Sequence, residues 1–326
     1  EYKFTLCEQA RQENFAADGM CTNRTGDFVN RRLDAGVQDM TLDTVCFESC
    51  SACPQRPSEP FLNPLSVCSD RPGRAQPIEV DGRGLMDGDA LMHFKGVAWQ
   101  PYGVNQGPGA NPPPWRTSVE ADSRLMVSAG INSVRTYGVI EDRTVLDQLH
   151  AQGIGVLMTV FYGYGDSPES AVEHVCALKD HPAIVGWLVG NEWNYNMLGR
   201  QVGFDEAADA VEQAVRAIKL NDTTRFVSTI YGGVPSPEVL SCLEEVEVWG
   251  LNIYTGASFG DLFAQWSTRS NKPMFLGEYG ADAYDSRVGQ EDEAYHADVV
   301  GALTTEIHEQ SVCVGGVCSG GMVFEF

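Results

Sequence analysis

The feature that most constrains the fold is a repeating alternation of short apolar runs and longer amphipathic segments, from about residue 93 to the C-terminus. Most of the runs are continuously apolar, as in strands that are buried on both faces of a parallel sheet. Eight such units predict an α/β fold, the (β/α)8 or TIM barrel. The runs are His93–Trp99, Asn132–Tyr137, Gly155–Phe161, Ile184–Gly190, Arg225–Ile230, Val246–Ile253, Pro273–Gly277 and Gly320–Phe326. The helix-like segments lie near 117–129, 142–152, 168–179, 204–220, 236–245, 258–269 and 290–310.

Residues 1–75 differ from this pattern because they are rich in cysteine and poor in strand-like runs. A segment of this size buries too little apolar surface to be stable alone, so we expect a region stapled by disulfides. Within it, Phe4–Ala16 and Asp27–Asp34 are predicted to be helical, and Pro54–Pro77 to be a linker or an ordered wrap. The barrel domain then spans 76–326 and opens with a hairpin, since Asp-Gly turns interrupt its first residues.

The ten cysteines and two glycosylation sequons favour an extracellular protein. The even number of cysteines suggests disulfide pairs, and the sequons stand at Asn23 and Asn221. The first residue is Glu1 rather than Met, as expected of a mature product after removal of a signal peptide. Zinc is the alternative for the closely spaced Cys46, Cys50 and Cys53, but no second Cys/His pair stands at finger spacing.

The charge balance limits the partners of the chain. There are 45 acidic and 22 basic residues, for a formal net charge of −23. Such a field repels nucleic acid and other polyanions and favours a neutral or cationic ligand, although it also serves solubility. No apolar run approaches the roughly 18 residues of a membrane span.

The eighth unit lacks its helix, because Phe326 falls inside the eighth apolar run. We expect either that the sequence is C-terminally incomplete or that another element, such as the cysteine-rich region, covers the gap. The first alternative is preferred.

Two glutamates follow apolar runs at positions suited to chemistry. In a barrel of this type the reactive residues lie at the C-terminal ends of the strands. Glu192 follows the fourth run and Glu278 the seventh, so both are expected to face one cleft among aromatic residues. A pair of carboxyl groups about 5 Å apart cleaves glycosidic bonds with retention, and a pair roughly 6.5–9.5 Å apart with inversion. No His/Asp cluster has metal spacing and no phosphate loop is present, so we expect no metal and no cofactor.

Four motifs carry a resemblance to a known group of enzymes. GWLVGNEWN (186–194) and FLGEYG (275–280) resemble the Asn-Glu and Glu-Tyr-Gly signatures of glycoside hydrolase clan A, the retaining TIM-barrel β-glycosidases. FKGVAWQPYG (94–103) and INSVRTYGV (131–139) are similar to its first two strands. The resemblance covers residues 78–326 and is greatest to the family 72 β-1,3-glucanosyltransferases of fungal cell walls, with families 2 and 5 as close competitors.

The resemblance implies roles for individual residues. Glu192 is the expected acid/base and Glu278 the nucleophile. The apolar strand before Glu192 favours the neutral acid, and Arg135 and Tyr254 are expected to donate to the Glu278 anion. Asn191 is expected to bind the sugar 2-hydroxyl. The candidate stacking or hydroxyl contacts are Tyr102, Trp193 and Tyr231. Glu325 departs from the aromatic residue expected near the eighth strand.

We therefore expect a secreted or cell-wall-associated retaining β-glycoside hydrolase or transglycosylase acting on a neutral β-glucan, with β-1,3 linkages preferred. Its partner is an oligosaccharide or polysaccharide. One alternative is a non-catalytic extracellular structural or carbohydrate-binding protein on the same scaffold. Another is a β-mannanase or β-galactosidase of the same clan, because selectivity depends on one or two hydroxyl contacts.

Overall fold

Eight parallel strands close into a barrel in the computed structural model, which confirms the predicted fold. The structure describes residues 5–6, 11–12, 22–25, 28–31, 68, 73, 75–102, 114–163, 165–285 and 289–326. Each strand pairs with the next along the chain, and β8 closes the barrel on β1 through the pair Gly320 and Phe94. The strands are β1 (Phe94–Ala98), β2 (Ser133–Arg135), β3 (Gly155–Phe161), β4 (Ile184–Val189), β5 (Phe226–Gly232), β6 (Val248–Asn252), β7 (Met274–Tyr279) and β8 (Cys318–Val323).

Helices alternate with the strands as their amphipathic patterns predict. The described helices are α1 (Trp115–Ser128), α2 (Arg143–Ala151), α3 (Pro168–Leu178), α4 (Met197–Val202), α5 (Phe204–Asn221), α6 (Pro237–Cys242), α7 (Leu262–Arg269) and α8 (Glu293–Glu309). In α5, Val211, Val215 and Ile218 recur at helical spacing and are buried against the sheet. Ser167 and Ser170 form a capping box at the start of α3. None of the helices in the described part of the chain combines the length and apolar character that a bilayer crossing needs.

The core has two layers. One layer fills the space between the strands and the helices, and the other fills the inside of the barrel. Glycines leave room for the large side chains of the inner layer. A Cβ at Gly186 would lie 2.4 Å from the Phe226 ring, and one at Gly96 would lie 2.0 Å from the sulfur of Met322. The hairpin of Ile78–Asp81 and Gly84–Asp87 covers the N-terminal end of the barrel, which leaves the C-terminal end open.

The predicted helices in the N-terminal region are wrong where the structure describes them. Thr5–Leu6 pairs with Arg11–Gln12, and Thr22–Thr25 pairs with Phe28–Arg31, each as an antiparallel hairpin. Gly-Asp separates the second pair of strands in the sequence, and two-residue hairpin loops favour such pairs. The other residues of the two expected helices lie outside the described residues, as do Cys46, Cys50 and Cys53.

Disulfide pairing is confirmed for part of the cysteines. Cys68 is bonded to Cys176 of α3, so the cysteine-rich region is attached to the helical layer of the barrel. Cys242 is also disulfide-bonded, to a partner outside the described residues. Cys313 and Cys318 are free thiols, so the disulfide pairs suggested by the even number of cysteines do not include these two. Cys318 cannot reach a partner easily because it is buried in β8 and bonds to the carbonyl oxygen of Gly320.

The side chain of Asn221, the asparagine of the second sequon, links the cysteine-rich region to α5. Its Nδ2 atom donates to the carbonyl oxygen of Ala217 at 2.9 Å. Its Oδ1 atom accepts a hydrogen bond from the backbone N–H of Cys68 at 2.9 Å. The amide is therefore anchored within α5 through Nδ2 and holds Cys68 of the cysteine-rich region through Oδ1.

Candidate active site

The predicted polar residues meet at the open end of the barrel. Arg135 ends β2, Asn191 and Glu192 follow β4, and Glu278 lies near the end of β7. Tyr254 comes two residues after the end of β6. Because all eight strands are parallel, their C-terminal ends meet on one face, and side chains distant in sequence come into contact there.

Glu278 is buried and accepts three hydrogen bonds from side chains. Only 6% of the residue is exposed. Its Oε1 accepts from Nη1 of Arg135 at 3.0 Å and from the hydroxyl of Tyr137 at 2.7 Å. Its Oε2 accepts from the hydroxyl of Tyr254 at 2.9 Å. Three donors, one of them cationic, suit a carboxylate rather than a carboxylic acid.

The two tyrosines remain protonated donors. Burial is the main reason that the pKa of each hydroxyl lies far above its ordinary value. For Tyr254 the charge of Glu278 raises the pKa further. For Tyr137 the effects of Arg135, which lowers the pKa, and of Glu278, which raises it, oppose each other. Tyr254 is nevertheless 51% exposed, so part of its ring faces the opening. Tyr137 was not among the predicted contacts. Its position two residues after Arg135, on the same side of an extended chain, is the signal that would have identified it.

Arg135 organises the polar side chains around it. It is completely buried, and its guanidinium lies 4.6 Å from the centre of the Tyr137 ring. Nη2 donates to Oδ1 of Asn191 at 2.6 Å, and Nη1 donates to Oδ1 of Asn252 at 3.3 Å. Since arginine can only donate, these bonds require both asparagine side chains to turn their oxygen atoms toward it.

Asn252 connects the two glutamates and is a residue that the sequence analysis did not include in the site. Its Nδ2 donates to Oε1 of Glu192 and to Oδ1 of Asn191, both at 3.2 Å. Its Oδ1 accepts from Arg135, which in turn donates to Glu278. A continuous set of hydrogen bonds thus runs from Glu192 through Asn252 and Arg135 to Glu278. The period-2 relation between Asn252 and Tyr254 could have indicated it.

A bulge in β7 creates the space for Asn252. Leu251 pairs with Leu276, but Asn252 pairs with Glu278, so Gly277 is an extra residue in that strand. The carbonyl oxygen of Gly277 accepts from Nη1 of Arg135 at 2.8 Å. A Cβ on Gly277 would lie 2.8 Å from Oδ1 of Asn252, which is too close.

Glu192 has an unusual backbone and a half-buried side chain. Its φ angle of 47° lies in the left-handed region, which non-glycine residues rarely adopt. Its N–H donates to the carbonyl oxygen of Ile230 at 3.0 Å, which fixes the turn after β4 against β5. Oε2 accepts from Nδ2 of Asn196 at 2.6 Å, opposite the bond from Asn252 to Oε1. Such strained residues cluster at functional sites.

Two of the predicted contacts lie away from this cluster. Trp193 is fully buried, packs against Phe204 and Tyr231, and donates its indole N–H to Thr229 at 2.8 Å. Tyr231 is only 3% exposed and packs against Trp249 as well. Both rings belong to the core between sheet and helices, which corrects the expectation that they are sugar-stacking platforms. Their strand-end positions were correctly identified, but their side chains turn outward from the barrel.

Tyr102 follows β1 and Glu325 follows β8, two strands that pair with each other, so both residues lie at the C-terminal end of the barrel. Burial first and the charge of Glu325 second raise the pKa of the Tyr102 hydroxyl. The aromatic residue expected near the eighth strand is Phe324. Its ring packs edge-on against Tyr137 at 6.2 Å and Tyr254 at 6.4 Å, the two tyrosines that donate to Glu278.

Comparisons with known proteins agree with this architecture. Residues 166–302 match the family model described as glycosyl hydrolases family 2, TIM barrel domain. Among solved structures, the family 2 β-galacturonidase of Eisenbergiella tayi bound to galacturonate is 20% identical, with a TM-score of 0.58. The matched region covers 77% of this chain and 47% of the β-galacturonidase. A search of curated proteins gave no match.

Two β-glucuronidases are similar to the same extent. That of Dictyoglomus thermophilum is 18% identical with a TM-score of 0.57, over 77% of this chain and 47% of that one. That of Bacteroides uniformis is 20% identical with a TM-score of 0.59, over 77% of this chain and 32% of that one. The chain thus spans half or less of the length of these proteins.

These findings support family 2, one of the competitors in the sequence analysis, and give no support to the preferred resemblance to family 72. At such low identity the structures show the fold alone. The chain therefore carries a (β/α)8 barrel that is similar to the TIM-barrel domain of glycosyl hydrolases family 2.

Proposed function

We propose that the chain is a retaining β-glycosidase, acting as a hydrolase or a transglycosylase, with Glu278 as nucleophile and Glu192 as acid/base. The observation that carries the proposal is the linked pair of carboxyl groups. Glu278 accepts three donors, and Glu192 is joined to the same hydrogen-bond network through Asn252. A carboxylate held by donors suits attack on carbon, and a half-exposed carboxyl group suits proton exchange.

The reaction would proceed in two displacements. An oxygen of Glu278 bonds to the anomeric carbon while the bond to the leaving oxygen breaks, and Glu192 gives its proton to that oxygen. Glu192 then takes a proton from water or from an acceptor hydroxyl, whose oxygen bonds to the anomeric carbon and releases Glu278. We assign the attack to Oε2, because among the described residues Tyr254 is its one side-chain donor, whereas Oε1 is held by Arg135 and Tyr137.

Asn191 is suited to bind the sugar 2-hydroxyl. Its Oδ1 is occupied by Arg135 and by Asn252, so Nδ2 is the atom left to donate to the substrate. Such a contact strengthens in the oxocarbenium-like transition state. Tyr102 is a further candidate contact, at the opening of the cleft.

A neutral β-glucan, with β-1,3 linkages preferred, is the proposed substrate. The net charge of −23 opposes a polyanionic polymer. The four motifs of the sequence analysis favour a glucan. Uronides are a second candidate class, because a galacturonate-bound β-galacturonidase is among the similar structures.

We also propose that the protein works in an oxidising, extracellular environment. The Cys68–Cys176 bond supports this, since such bonds form and persist outside reducing compartments.

Product analysis on laminarin, a β-1,4-glucan, a β-mannan and an aryl β-galactoside tests the function. The proposal expects laminarin to be preferred and the first product to have the β configuration in NMR spectra. Glu278→Gln should abolish turnover, and an activated 2-fluoro-β-glucoside should label Glu278 covalently in the wild type. Glu79→Gln, in the hairpin at the opposite end of the barrel, is the control. A first product of α configuration, or no turnover of any β-glycoside, would contradict the proposal.

A further inference from the structure

A third carboxylate, Glu325, lies at the mouth of the candidate active site. The backbone fixes it there on both sides. The N–H of Phe324 donates to the carbonyl oxygen of Tyr279 at 2.9 Å, and that of Phe326 donates to the carbonyl oxygen of Ala98 at 3.0 Å. The segment therefore joins the end of β7 to the end of β1. Glu325 follows Phe324 directly, and the Phe324 ring contacts both tyrosines that hold Glu278.

No cation neutralises Glu325 among the described residues, where it takes part in no ion pair and no hydrogen bond. The buried Arg135 is committed to Glu278 and two asparagines. Partial burial first, and the charge of Glu278 second, raise the pKa of the Glu325 carboxyl.

We propose that Glu325 is a specificity-determining residue that excludes sugars with a carboxylate and accepts a hydrogen bond from a hydroxyl of a neutral sugar. This inference rests on the proposed function, since it concerns the sugar bound between Glu192 and Glu278. An anionic ring bound beside Glu278 would meet Glu325 as well, with no free guanidinium or ammonium group from the described residues to offset the repulsion. A neutral ring meets no such penalty, and its hydroxyl donates to a carboxylate without a partner.

A series of substrates that differ in charge tests this proposal. The probes are the 4-nitrophenyl β-glycosides of glucuronic acid, glucose and glucosamine at neutral pH, and kcat/KM is measured for wild type and Glu325→Gln. Removing the negative charge should raise kcat/KM for the glucuronide about tenfold and lower it for the glucosaminide about tenfold. The glucoside should fall by only about threefold, because the glutamine oxygen still accepts the hydroxyl bond but without the charge that strengthens it.

The sign of these changes separates charge recognition from a structural role. A distorted site would lower all three values together, and that result would overturn the inference, as would unchanged ratios between the three substrates. Glu79→Gln, which removes the same charge at the far end of the barrel, should leave the ratios as in the wild type. If the wild type turns over none of the three, the proposed function fails, and this inference fails with it.

Discussion

Nη1 of Arg135 lies 3.0 Å from Oε1 of Glu278, and the two side chains are only 0% and 8% exposed. The residues are 143 positions apart in the chain and belong to β2 and β7, which are not neighbours in the sheet. Only a closed barrel brings them together. The ion pair thus depends on the complete fold, and removing either partner leaves a buried charge without compensation.

Arg135→Met should therefore unfold more easily and lose activity. Breaking a buried ion pair from one side costs about 3–5 kcal/mol. Urea unfolding measures this loss. The control is Arg124→Met, which breaks the exposed pair with Glu120 and should cost less than about 1 kcal/mol. If the two variants lost the same free energy of unfolding, the buried pair would contribute no more to stability than the exposed pair does.

Glu192→Gly should lose activity in a way that depends on the leaving group. Glycine suits the left-handed backbone at this position, where φ is 47°. Without a proton donor, alkyl β-glycosides should react about a hundredfold to ten-thousandfold more slowly, whereas a dinitrophenyl glycoside should lose little in its first step. Added azide should restore turnover and give a β-glycosyl azide. A uniform loss for every leaving group would exclude the acid/base role.

Asn252→Ala should impair the site through Glu192. The substitution removes the donor to Oε1 of Glu192 at 3.2 Å and an acceptor of Arg135. We expect kcat to fall about tenfold or more, since a buried donor to a charged group is lost. Asn271→Ala, at an exposed position before β7, should leave kcat unchanged.

Stability should decrease as the pH falls below about 6.5, the ordinary pKa of histidine. Burial lowers the pKa of His181 below that value, against the opposing effect of its bond to Asp147. Its Nδ1 accepts the N–H of Ala183 at 3.2 Å, which requires an unprotonated nitrogen. As the pH falls, His181 in the unfolded chain therefore binds its proton before His181 in the folded protein does. The contribution of His181 to the free energy of unfolding is complete above pH 6.5 and is lost in acid.

His181→Gln should show a weaker dependence of the free energy of unfolding on pH between neutral and mildly acid conditions. The exposed His150 provides the control, because His150→Gln should keep the wild-type dependence. An unchanged slope for His181→Gln would show that this histidine is not responsible.

Cys176→Ser should destabilise the protein by about 2–5 kcal/mol, since the bond to Cys68 closes a long loop. The two cysteines are 108 residues apart. Cys313→Ser removes a free, exposed thiol and should change stability by less than about 0.5 kcal/mol. Alkylation of the native protein should label Cys313 and spare the buried Cys318. Labelling of Cys176 without reductant would contradict the disulfide.

The barrel was predictable because most of its strands are continuous apolar runs, and the order of the eight runs is the order of the strands, although several strands are shorter or shifted. The residues at the strand ends were predictable for the same reason. Which way each side chain turns was not, since a shift of one residue reverses the face. Trp193 and Tyr231 therefore belong to the core, although Asn191 and Glu192 reach the open end.

The contacts that the sequence did not indicate depend on long-range packing. Asn252 belongs to the network because Arg135 binds the side-chain oxygen of Asn252, which leaves the side-chain nitrogen to donate to Glu192. The free state of Cys313 and Cys318 depends on the burial of Cys318 in β8, which an even count of cysteines cannot reveal. The hairpin of Thr22–Thr25 and Phe28–Arg31 was missed because the apolar spacing suggested a helix, although Gly-Asp between the two strands is typical of a hairpin turn.

Gly277 provides no functional group, but the bulge that it forms limits how the active end of the barrel can change. Even a methyl group there would displace the amide of Asn252 and disturb its hydrogen bond to Glu192. Loops at the rim tolerate new sequences, and with them new sugars, more readily than this strand does. Diversification of specificity should therefore avoid position 277, and a library that randomises it should return glycine.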